Sequence, residues 1–285
     1  MTQKPSHLID GQWIEGEGPQ LISTDPATGR PVWTGRAAVP HEVDRAVSAA
    51  RSAFASWADC SVEQRVQPLR VFEQQLKTHR DDLAQTISRE TGKPEWEALS
   101  EVDTMIAKIG LSTEVWDKRC STTTQTVGDA TGATRYKPHG VVAILGPFNL
   151  PGHLPNGQIV PALLAGNTVV FKPSELTPAV AQRTVELWCA AGLPPGVLSL
   201  VQGDADTGRA LAGHTHVDGL FFTGSYAVGR ALSKAFADRP EKILALEMGG
   251  NNPLIVHGVV DQDAAAYLTI QSAYITAGQR CTCAR

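Results

Sequence analysis

The chain has 285 residues, of which 42% are hydrophobic and 19% charged, so it is long enough for two domains of ordinary globular composition. A formal net charge of −4 gives no basic field for nucleic acid or an anionic membrane, and no window approaches the roughly 18 uninterrupted apolar residues of a membrane span. Five scattered cysteines form no disulfide framework and Met1 to Gly18 has no apolar signal core, which together predict a cytoplasmic protein with free thiols.

The first 120 residues predict a β-rich start followed by four helices. Residues 8–36 contain a turn signal, Asp25-Pro-Ala-Thr-Gly29, between short extended segments. Helical spacing of apolar residues then predicts helices over Pro40–Trp57, Ser61–His79, Asp81–Glu90 and Glu95–Arg119. Thr91-Gly-Lys-Pro94 ends the third helix, because Gly and Pro stop helices. The Thr- and Gly-rich stretch from Ser121 to Gly132 has no helical period and predicts an extended arm or hairpin.

Beyond residue 140 the pattern changes to alternating strands and helices. Apolar runs predict strands at 141–145, 168–172, 198–201, 218–222, 243–246 and 253–256, the first of them buried on both faces. Helices are predicted between them at 178–191, 205–213 and 226–237. This alternation predicts an α/β fold with a Rossmann-like, mainly parallel sheet and right-handed crossovers. After Asp261 a helix with an apolar face leads to the turn Gly278-Gln-Arg-Cys281.

Two segments at the ends of predicted strands could contact a nucleotide. The glycine-rich turn from Gly224 to Gly229 opens a helix and offers free N–H groups and a positive dipole end to a phosphate, although an ordinary turn explains it equally well. Lys172-Pro-Ser174-Glu175 follows an earlier strand, where open α/β sheets bind ligands. A Lys there can donate to ribose hydroxyls, and a Glu can accept from a 2′-hydroxyl while repelling a 2′-phosphate. Taken singly, a solvated Pro-bounded loop is the favoured interpretation.

Three further side chains could perform chemistry. Glu247 ends a predicted strand beside two glycines, where a carboxylate can orient water or remove a proton, although a capping or ion-paired Glu is the commoner case. Asn149, between two prolines, could donate to an oxyanion or form an Asx turn. Cys281 could be a thiol nucleophile, whereas buried cysteines are usually inert. A metal site at Cys281 and Cys283 is disfavoured, because no second Cys/His pair has suitable spacing.

In order and along the whole chain, these segments resemble the aldehyde dehydrogenase superfamily. Pro147-Phe-Asn-Leu-Pro151 is similar to the family's Pro-Trp-Asn-Phe-Pro, and Glu247-Met-Gly-Gly to its Glu-Leu-Gly-Gly. Lys172-Pro-Ser-Glu175 and Phe222-Thr-Gly-Ser225 match without change, and Gly278-Gln-Arg-Cys281 fits Gly-Gln-x-Cys. Each of these five motif matches is weak by itself, but together and at compatible spacings they make a strong resemblance.

The resemblance implies oxidation of an aldehyde with NAD as cofactor. It implies that Cys281 attacks the aldehyde carbon, that Asn149 and the Cys281 N–H hold the oxyanion, and that Glu247 activates the hydrolytic water. It also implies that the cofactor is bound by Lys172, Ser174, Glu175, Gly224, Ser225 and Gly229.

Family members continue well beyond the position of Cys281. We therefore expect the amino-terminal part of the NAD-binding domain at 1–120, an oligomerisation arm at 121–139, the NAD-binding core at 140–247 and the start of a truncated catalytic domain at 248–285. The expected result is a fragment with little or no turnover, whose full-length form is a homo-oligomer. NAD binding without catalysis is the alternative.

The sequence at 152–161, 245–253 and 277–285 is similar to the sequences of family members that oxidise a semialdehyde carrying several carboxylates. Arg280, directly before the nucleophile, is predicted to pair with one of those carboxylates, although a structural Arg is slightly favoured. Succinate semialdehyde and glutamate semialdehyde stay open as alternative substrates.

Overall fold

The computed structural model describes residues 5–284. Its strands are β1 (His7–Ile9), β2 (Gln12–Ile14), β3 (Gln20–Thr24), β4 (Pro31–Arg36), β5 (Thr123–Val127), β6 (Ala130–Thr134), β7 (Val141–Leu145), β8 (Thr168–Lys172), β9 (Leu198–Leu200), β10 (Gly219–Gly224) and β11 (Ile243–Met248). Its helices are α1 (Pro40–Asp59), α2 (Val62–Thr78), α3 (Arg80–Thr91), α4 (Glu95–Arg119), α5 (His153–Leu164), α6 (Pro178–Ala190), α7 (Ala205–Gly213), α8 (Tyr226–Phe236) and α9 (Gln262–Tyr274). A short 3₁₀ turn, Ile275–Gly278, follows α9. None of the described helices is both long and apolar enough to cross a membrane.

A seven-stranded sheet forms the centre of the fold, in the order β11-β10-β7-β8-β9-β1-β2. The five strands from β11 to β9 are parallel, and β1 and β2 add an antiparallel edge. This confirms the predicted Rossmann-like α/β fold. The chain runs outward from β7 to β8 and β9, then returns to the other side of β7 with β10. The strand order therefore reverses between β7 and β10, which is where open α/β sheets bind ligands, at the carboxyl ends of the strands.

Helices cover both faces of this sheet. One apolar cluster joins α2, α3, α4, α5 and α6 to one face and includes a stacked pair, Phe72 and Trp188, whose ring centroids lie 3.6 Å apart. The other cluster joins α1, α7 and α8 to the opposite face. Every residue of β7 and β8 is buried between the two layers, as their uninterrupted apolar runs predict.

Two elements differ from the prediction. The strand expected at 253–256 is wrong, because this segment pairs with no strand and leaves Ile255 86% exposed. Helix α5 was not predicted, because Pro155, Gly157 and Pro161 all disfavour a helix interior. Pro155 lies in the first turn, where proline costs little, and burial of the α5 apolar face stabilises the rest.

The hairpin and the last helix are more exposed than the core. Among residues 5–284, strands β5 and β6 pair only with each other, which agrees with the extended hairpin predicted for Ser121–Gly132. Helix α9 forms after Asp261, whose carboxylate accepts the Ala264 N–H at 2.9 Å. None of the α9 side chains is buried, so its apolar face does not contribute to the core of the described chain.

Candidate active site

The candidate residues lie at the carboxyl ends of adjacent parallel strands. Leu145 at the end of β7 is paired with Lys172 at the end of β8, and also with Phe222 in β10. One residue further along β10, Thr223 is paired with Glu247 of β11. The sheet therefore brings the loops that carry Asn149, Lys172, Ser225 and Glu247 to one edge, on both sides of the strand-order reversal.

Asn149 contacts the turn that precedes Cys281. Its side-chain Nδ2 donates to the backbone oxygen of Gln279 at 2.6 Å. The two residues are far apart in sequence, and this hydrogen bond joins the loop after β7 to the turn after α9. One of the two amide hydrogens of Asn149 is used in this contact, and the other is available for a ligand.

The segment after Glu247 contacts the backbone at Cys281 and just after it. Asn252 Nδ2 donates to the backbone oxygens of Cys281 at 2.7 Å and Cys283 at 3.2 Å. A Cβ on Gly250 would lie 2.7 Å from the Cys281 oxygen, so this close approach requires glycine. Glu247 itself is exposed and has no hydrogen-bond partner among residues 5–284. The structure thus brings together the three segments that carry Asn149, Glu247 and Cys281.

The thiol of Cys281 is exposed, whereas that of Cys283 is buried. The turn before them has a left-handed backbone at three successive residues, with φ of 59° at Thr276, 52° at Ala277 and 70° at Gly278. Such a conformation costs roughly 1–2 kcal/mol for each residue other than glycine. Glu97, a buried residue of α4, holds this turn by accepting the Thr276 N–H at 2.6 Å.

A buried ion pair supports the Asn149 loop and was not predicted from the sequence. Lys93 Nζ lies 2.5 Å from Glu101 Oε2, and these side chains are only 2% and 1% exposed. Lys93 also donates to the Asn149 carbonyl at 2.7 Å. The other carboxylate oxygen of Glu101 accepts the N–H groups of Gly152 at 2.9 Å and His153 at 3.1 Å. The pair therefore fixes both ends of the loop, and the only sequence signal was a Gly-Lys-Pro segment interpreted as a helix stop.

Lys172 is buried at the end of β8, and its Nζ donates to the Pro173 oxygen at 2.5 Å. Burial lowers the pKa of Lys172 to about 8, although the negative charges of Glu175 and Asp204 act in the opposite direction. Glu175 is exposed, and the hydroxyl of Ser174 accepts the Leu176 N–H at 3.2 Å. This loop therefore presents a carboxylate to solvent above a largely desolvated lysine.

The glycine-rich turn leads directly into α8. Ser225 caps this helix, with its hydroxyl accepting the Val228 N–H at 3.3 Å, and the first turn of the helix is exposed. A Cβ on Gly229 would lie 2.4 Å from the sulfur of Met248, so glycine allows α8 to pack beside the end of β11. A Cβ on Gly224 would lie 2.5 Å from the Phe222 ring. The exposed first turn is suited to an anion.

Arg280 is half-buried and lies between the left-handed turn and Cys281. Its Nε donates to the hydroxyl of Thr276 at 2.6 Å, which is the structural role that the sequence slightly favoured. The contact occupies only one of the five guanidinium N–H donors, so the terminal nitrogens can still bind a carboxylate.

The sequence is similar to those of known proteins along almost its whole length. The sequence model of the aldehyde dehydrogenase family matches residues 13–285. The chain is 57% identical, over 280 residues, to an N-succinylglutamate 5-semialdehyde dehydrogenase from Chromobacterium violaceum and to another from Ectopseudomonas mendocina. The chain belongs to the aldehyde dehydrogenase family. The alignments cover 98% of this chain but 58% of each relative, so the chain spans less than two thirds of their length.

Solved aldehyde dehydrogenase structures share the fold. The NAD+ complex of an aldehyde dehydrogenase from Bacillus cereus has a TM-score of 0.93 and 29% identity, covering 99% of this chain and 58% of that one. An NADP-dependent enzyme from E. coli has a TM-score of 0.93 and 34% identity, with coverages of 99% and 59%. The family and the fold predicted from the sequence are confirmed, and the roles of individual site residues stay predictions.

Proposed function

We propose that this chain carries the nucleophile and the cofactor-binding elements of an NAD-dependent dehydrogenase. The proposed reaction oxidises N-succinyl-L-glutamate 5-semialdehyde to N-succinyl-L-glutamate, in arginine breakdown by the succinyltransferase route. The observation that carries the proposal is the convergence of three segments on Cys281. Asn149 binds the preceding turn at Gln279, and Asn252, close to Glu247, binds the Cys281 backbone. The names of the two relatives support the choice of substrate.

In the proposed reaction the thiolate of Cys281 attacks the aldehyde carbon and forms a thiohemiacetal. The free amide hydrogen of Asn149 and the backbone N–H of Cys281 stabilise the oxyanion. Loss of hydride from that carbon leaves a thioester on Cys281. Glu247, exposed at the end of β11, removes a proton from the water that hydrolyses this thioester. NAD, when bound, supplies the hydride acceptor.

The nucleotide edge of the sheet fits such a cofactor. Lys172, Ser174 and Glu175 would hold the adenosine ribose, and the exposed carboxylate of Glu175 would accept from a 2′-hydroxyl and repel a 2′-phosphate. Gly224 and Ser225 precede α8 and the buried Gly229 lies near its start; the exposed N-terminus of this helix would hold the pyrophosphate. These contacts favour NAD over NADP.

The remaining proposals concern assembly and location. The hairpin within 121–139 has almost no buried side chains, and we propose it as the arm that bridges subunits in a homo-oligomer. The proposed divisions of the chain are 1–120, 121–139, 140–247 and 248–285, and the proposed location is the cytoplasm. Among possible substrates, Arg280 favours an aldehyde that carries a carboxylate.

The test combines NADH formation with cofactor binding. Because the chain covers only part of its relatives, we expect little or no turnover from it alone. NAD should nevertheless change its tryptophan fluorescence, and N-succinylglutamate semialdehyde should protect Cys281 from alkylation. Cys281→Ser should retain NAD binding and lose every reaction with aldehyde. NAD binding without any aldehyde protection of Cys281 would support the alternative, a nucleotide-binding module, and failure of both measurements would exclude both functions.

A further inference from the structure

We propose that Lys108, His153 and Arg280 form a cationic recess beside Cys281 that binds the carboxylates of a polyanionic aldehyde. The inference rests on the proposed function, because it takes Cys281 as the group that meets the aldehyde. It adds two residues, Lys108 and His153, to the single arginine considered from the sequence.

Lys108 occupies a gap left by a glycine on the neighbouring helix. Lys108 lies on α4 and Gly157 on α5, and these two helices pack against each other. A Cβ on Gly157 would meet only the Lys108 Cε, at 3.9 Å. Gly157 therefore leaves open space around the lysine side chain. Lys108 is half-buried, and a cation held against the protein surface interacts more strongly with an anion than one surrounded by water.

His153 links that lysine to the Asn149 loop. Its backbone N–H is bound by Glu101 at 3.1 Å, which fixes the residue at the start of α5. Its ring Nδ1 is buried and has no hydrogen-bond partner among the described residues. Burial lowers the pKa of His153, and the positive charges of Lys108, Arg280 and Lys93 lower it further, against the negative charge of Glu101. At neutral pH the ring is therefore an uncharged hydrogen-bonding group, and the charges that act on it are those of Glu101, Lys108, Arg280 and Lys93.

The positive charges of Lys108 and Arg280 are not paired with an acid. Within residues 5–284 neither side chain forms a salt bridge, and Arg280 is tied only through its Nε to Thr276. The two nearby acids of α4 have other partners, since Glu101 binds Lys93 and Glu97 accepts the Thr276 N–H. Arg280 thus directly precedes Cys281, while Lys108 and the unpartnered imidazole nitrogen of His153 lie at α5, which follows the Asn149 loop. Unpaired cations and a free ring nitrogen are an environment for anionic groups.

This recess selects a class of substrate. N-succinylglutamate semialdehyde carries an α-carboxylate and a succinyl carboxylate, which can be shared between Arg280 and Lys108. Succinate semialdehyde can use only one of the two cations, and an uncharged aldehyde can use neither. We therefore expect affinity to increase with the number of carboxylates on the aldehyde.

The rate of Cys281 alkylation tests whether the recess attracts anions, and this test does not require turnover. The rate with iodoacetate, which is anionic, is divided by the rate with neutral iodoacetamide, with modification followed on the Cys281 peptide by mass spectrometry. The ratio corrects for the reactivity and exposure of the thiol. Lys108→Met and Arg280→Met should each lower it about three- to tenfold at low salt, and added salt should lower it in the unmodified chain.

Two variants serve as controls. Lys118→Met removes a positive charge from the same helix, where Lys118 is exposed and paired with Glu114, and should leave the ratio unchanged. Arg280→Lys keeps the positive charge. Its ratio of iodoacetate to iodoacetamide rates should stay close to that of the unmodified chain, even if the turn before Cys281 is disturbed. A ratio that is the same in Lys108→Met, Arg280→Met and the unmodified chain would overturn the proposal.

A second measurement separates this inference from the proposed function. N-succinyl-L-glutamate should protect Cys281 from iodoacetamide in the unmodified chain and protect it less in Lys108→Met and His153→Leu. If Cys281 is not the nucleophile, the aldehyde will form no thiohemiacetal with it and will protect it no better than N-succinyl-L-glutamate does, whatever the alkylation ratio shows. If only the recess is wrong, aldehydes will protect Cys281 equally in all variants and the ratio will not respond to Lys108 or Arg280.

Discussion

Lys93 and Glu101 form an ion pair almost completely removed from solvent, and each partner also holds one end of the loop that carries Asn149. The side-chain amide of Asn149, which we propose to bind the oxyanion, is thus positioned by two charges on the helical layer, not by the sheet itself. Because each charge is compensated only by the other and by backbone groups, both must be present together.

Removing one charge of this pair should be costly. Glu101→Gln leaves the Lys93 ammonium buried without a counter-charge, and we expect a loss of about 3–5 kcal/mol in the free energy of unfolding, measured with urea. Glu114→Gln, in the exposed pair with Lys118, should cost about 0.5 kcal/mol or less. The double variant Lys93→Met/Glu101→Leu should lose less than the sum of its single variants, and an additive loss would contradict the coupling.

Glu90 should make the fold less stable as the pH rises. Its carboxylate accepts the N–H groups of Ala179 at 3.0 Å and Val180 at 2.9 Å, as well as the Ser23 hydroxyl. Burial raises its pKa from 4.5 to about 7, despite these hydrogen bonds. The raised pKa belongs to the folded state, whereas the unfolded chain keeps the ordinary value of 4.5. The protonated carboxyl group of Glu90 therefore contributes its full stability to the fold below pH 4.5, and this contribution is lost as the pH rises through about 7.

Urea unfolding at pH 5 and pH 8 measures this effect. The pKa shift of Glu90 corresponds to about 3 kcal/mol in the free energy of unfolding. Glu90→Gln should remove most of the resulting difference between the two pH values. Glu186→Gln, which changes a more exposed carboxylate on α6, provides the matched control. If the free energy of unfolding changes equally between pH 5 and pH 8 in the unmodified chain and in Glu90→Gln, another group is responsible for the pH dependence.

Cofactor affinity should depend on the charge of Lys172. Burial lowers the pKa of this lysine to about 8, so its ammonium form is lost as the pH rises above that value. The dissociation constant for NAD, followed by tryptophan fluorescence, should therefore increase between pH 7 and pH 9. Lys172→Met should bind NAD weakly at both pH values. A pH dependence that persists in this variant would assign the titration to a different group.

The backbone at Ala277 should gain stability from glycine. Its φ of 52° is unfavourable for a residue with a Cβ, and Ala277→Gly should stabilise the fold by about 0.5–1 kcal/mol after the greater freedom of the unfolded chain is included. Ala266→Gly, in the exposed interior of α9, should instead destabilise it by about 0.5–1 kcal/mol. Thermal unfolding of the two variants should therefore shift in opposite directions, and a loss in both would contradict the predicted strain.

Local signals were enough to predict most of the fold. The uninterrupted apolar runs of β7 and β8 could only be strands with both faces covered, and helical spacing identified α1 to α4. The segment at 253–256 has the composition of a strand, but composition does not supply a neighbouring strand with which to pair. Helix α5 was missed for the opposite reason, because tertiary burial stabilises a sequence with poor helix propensity.

The candidate site was only partly visible in the sequence. Asn149, Glu247 and Cys281 lie in short motifs whose order carried the resemblance. Lys93 and Glu101 have no such motif, and each acts through a contact with a loop about 50 residues away in sequence. Their importance depends on the packing of α4 against α5, which no local pattern of charge or hydrophobicity reports.

Because α9 buries none of its side chains, the region that carries Cys281 is attached to the core mainly by a few polar contacts. Its backbone amides should exchange with deuterium through local opening, long before those of β7 and β8, which open only when the whole domain unfolds. We therefore expect the residues from α9 to Cys281 to open as a small unit, separately from the sheet, so that the backbone behind the exposed Cys281 thiol loosens before the core does.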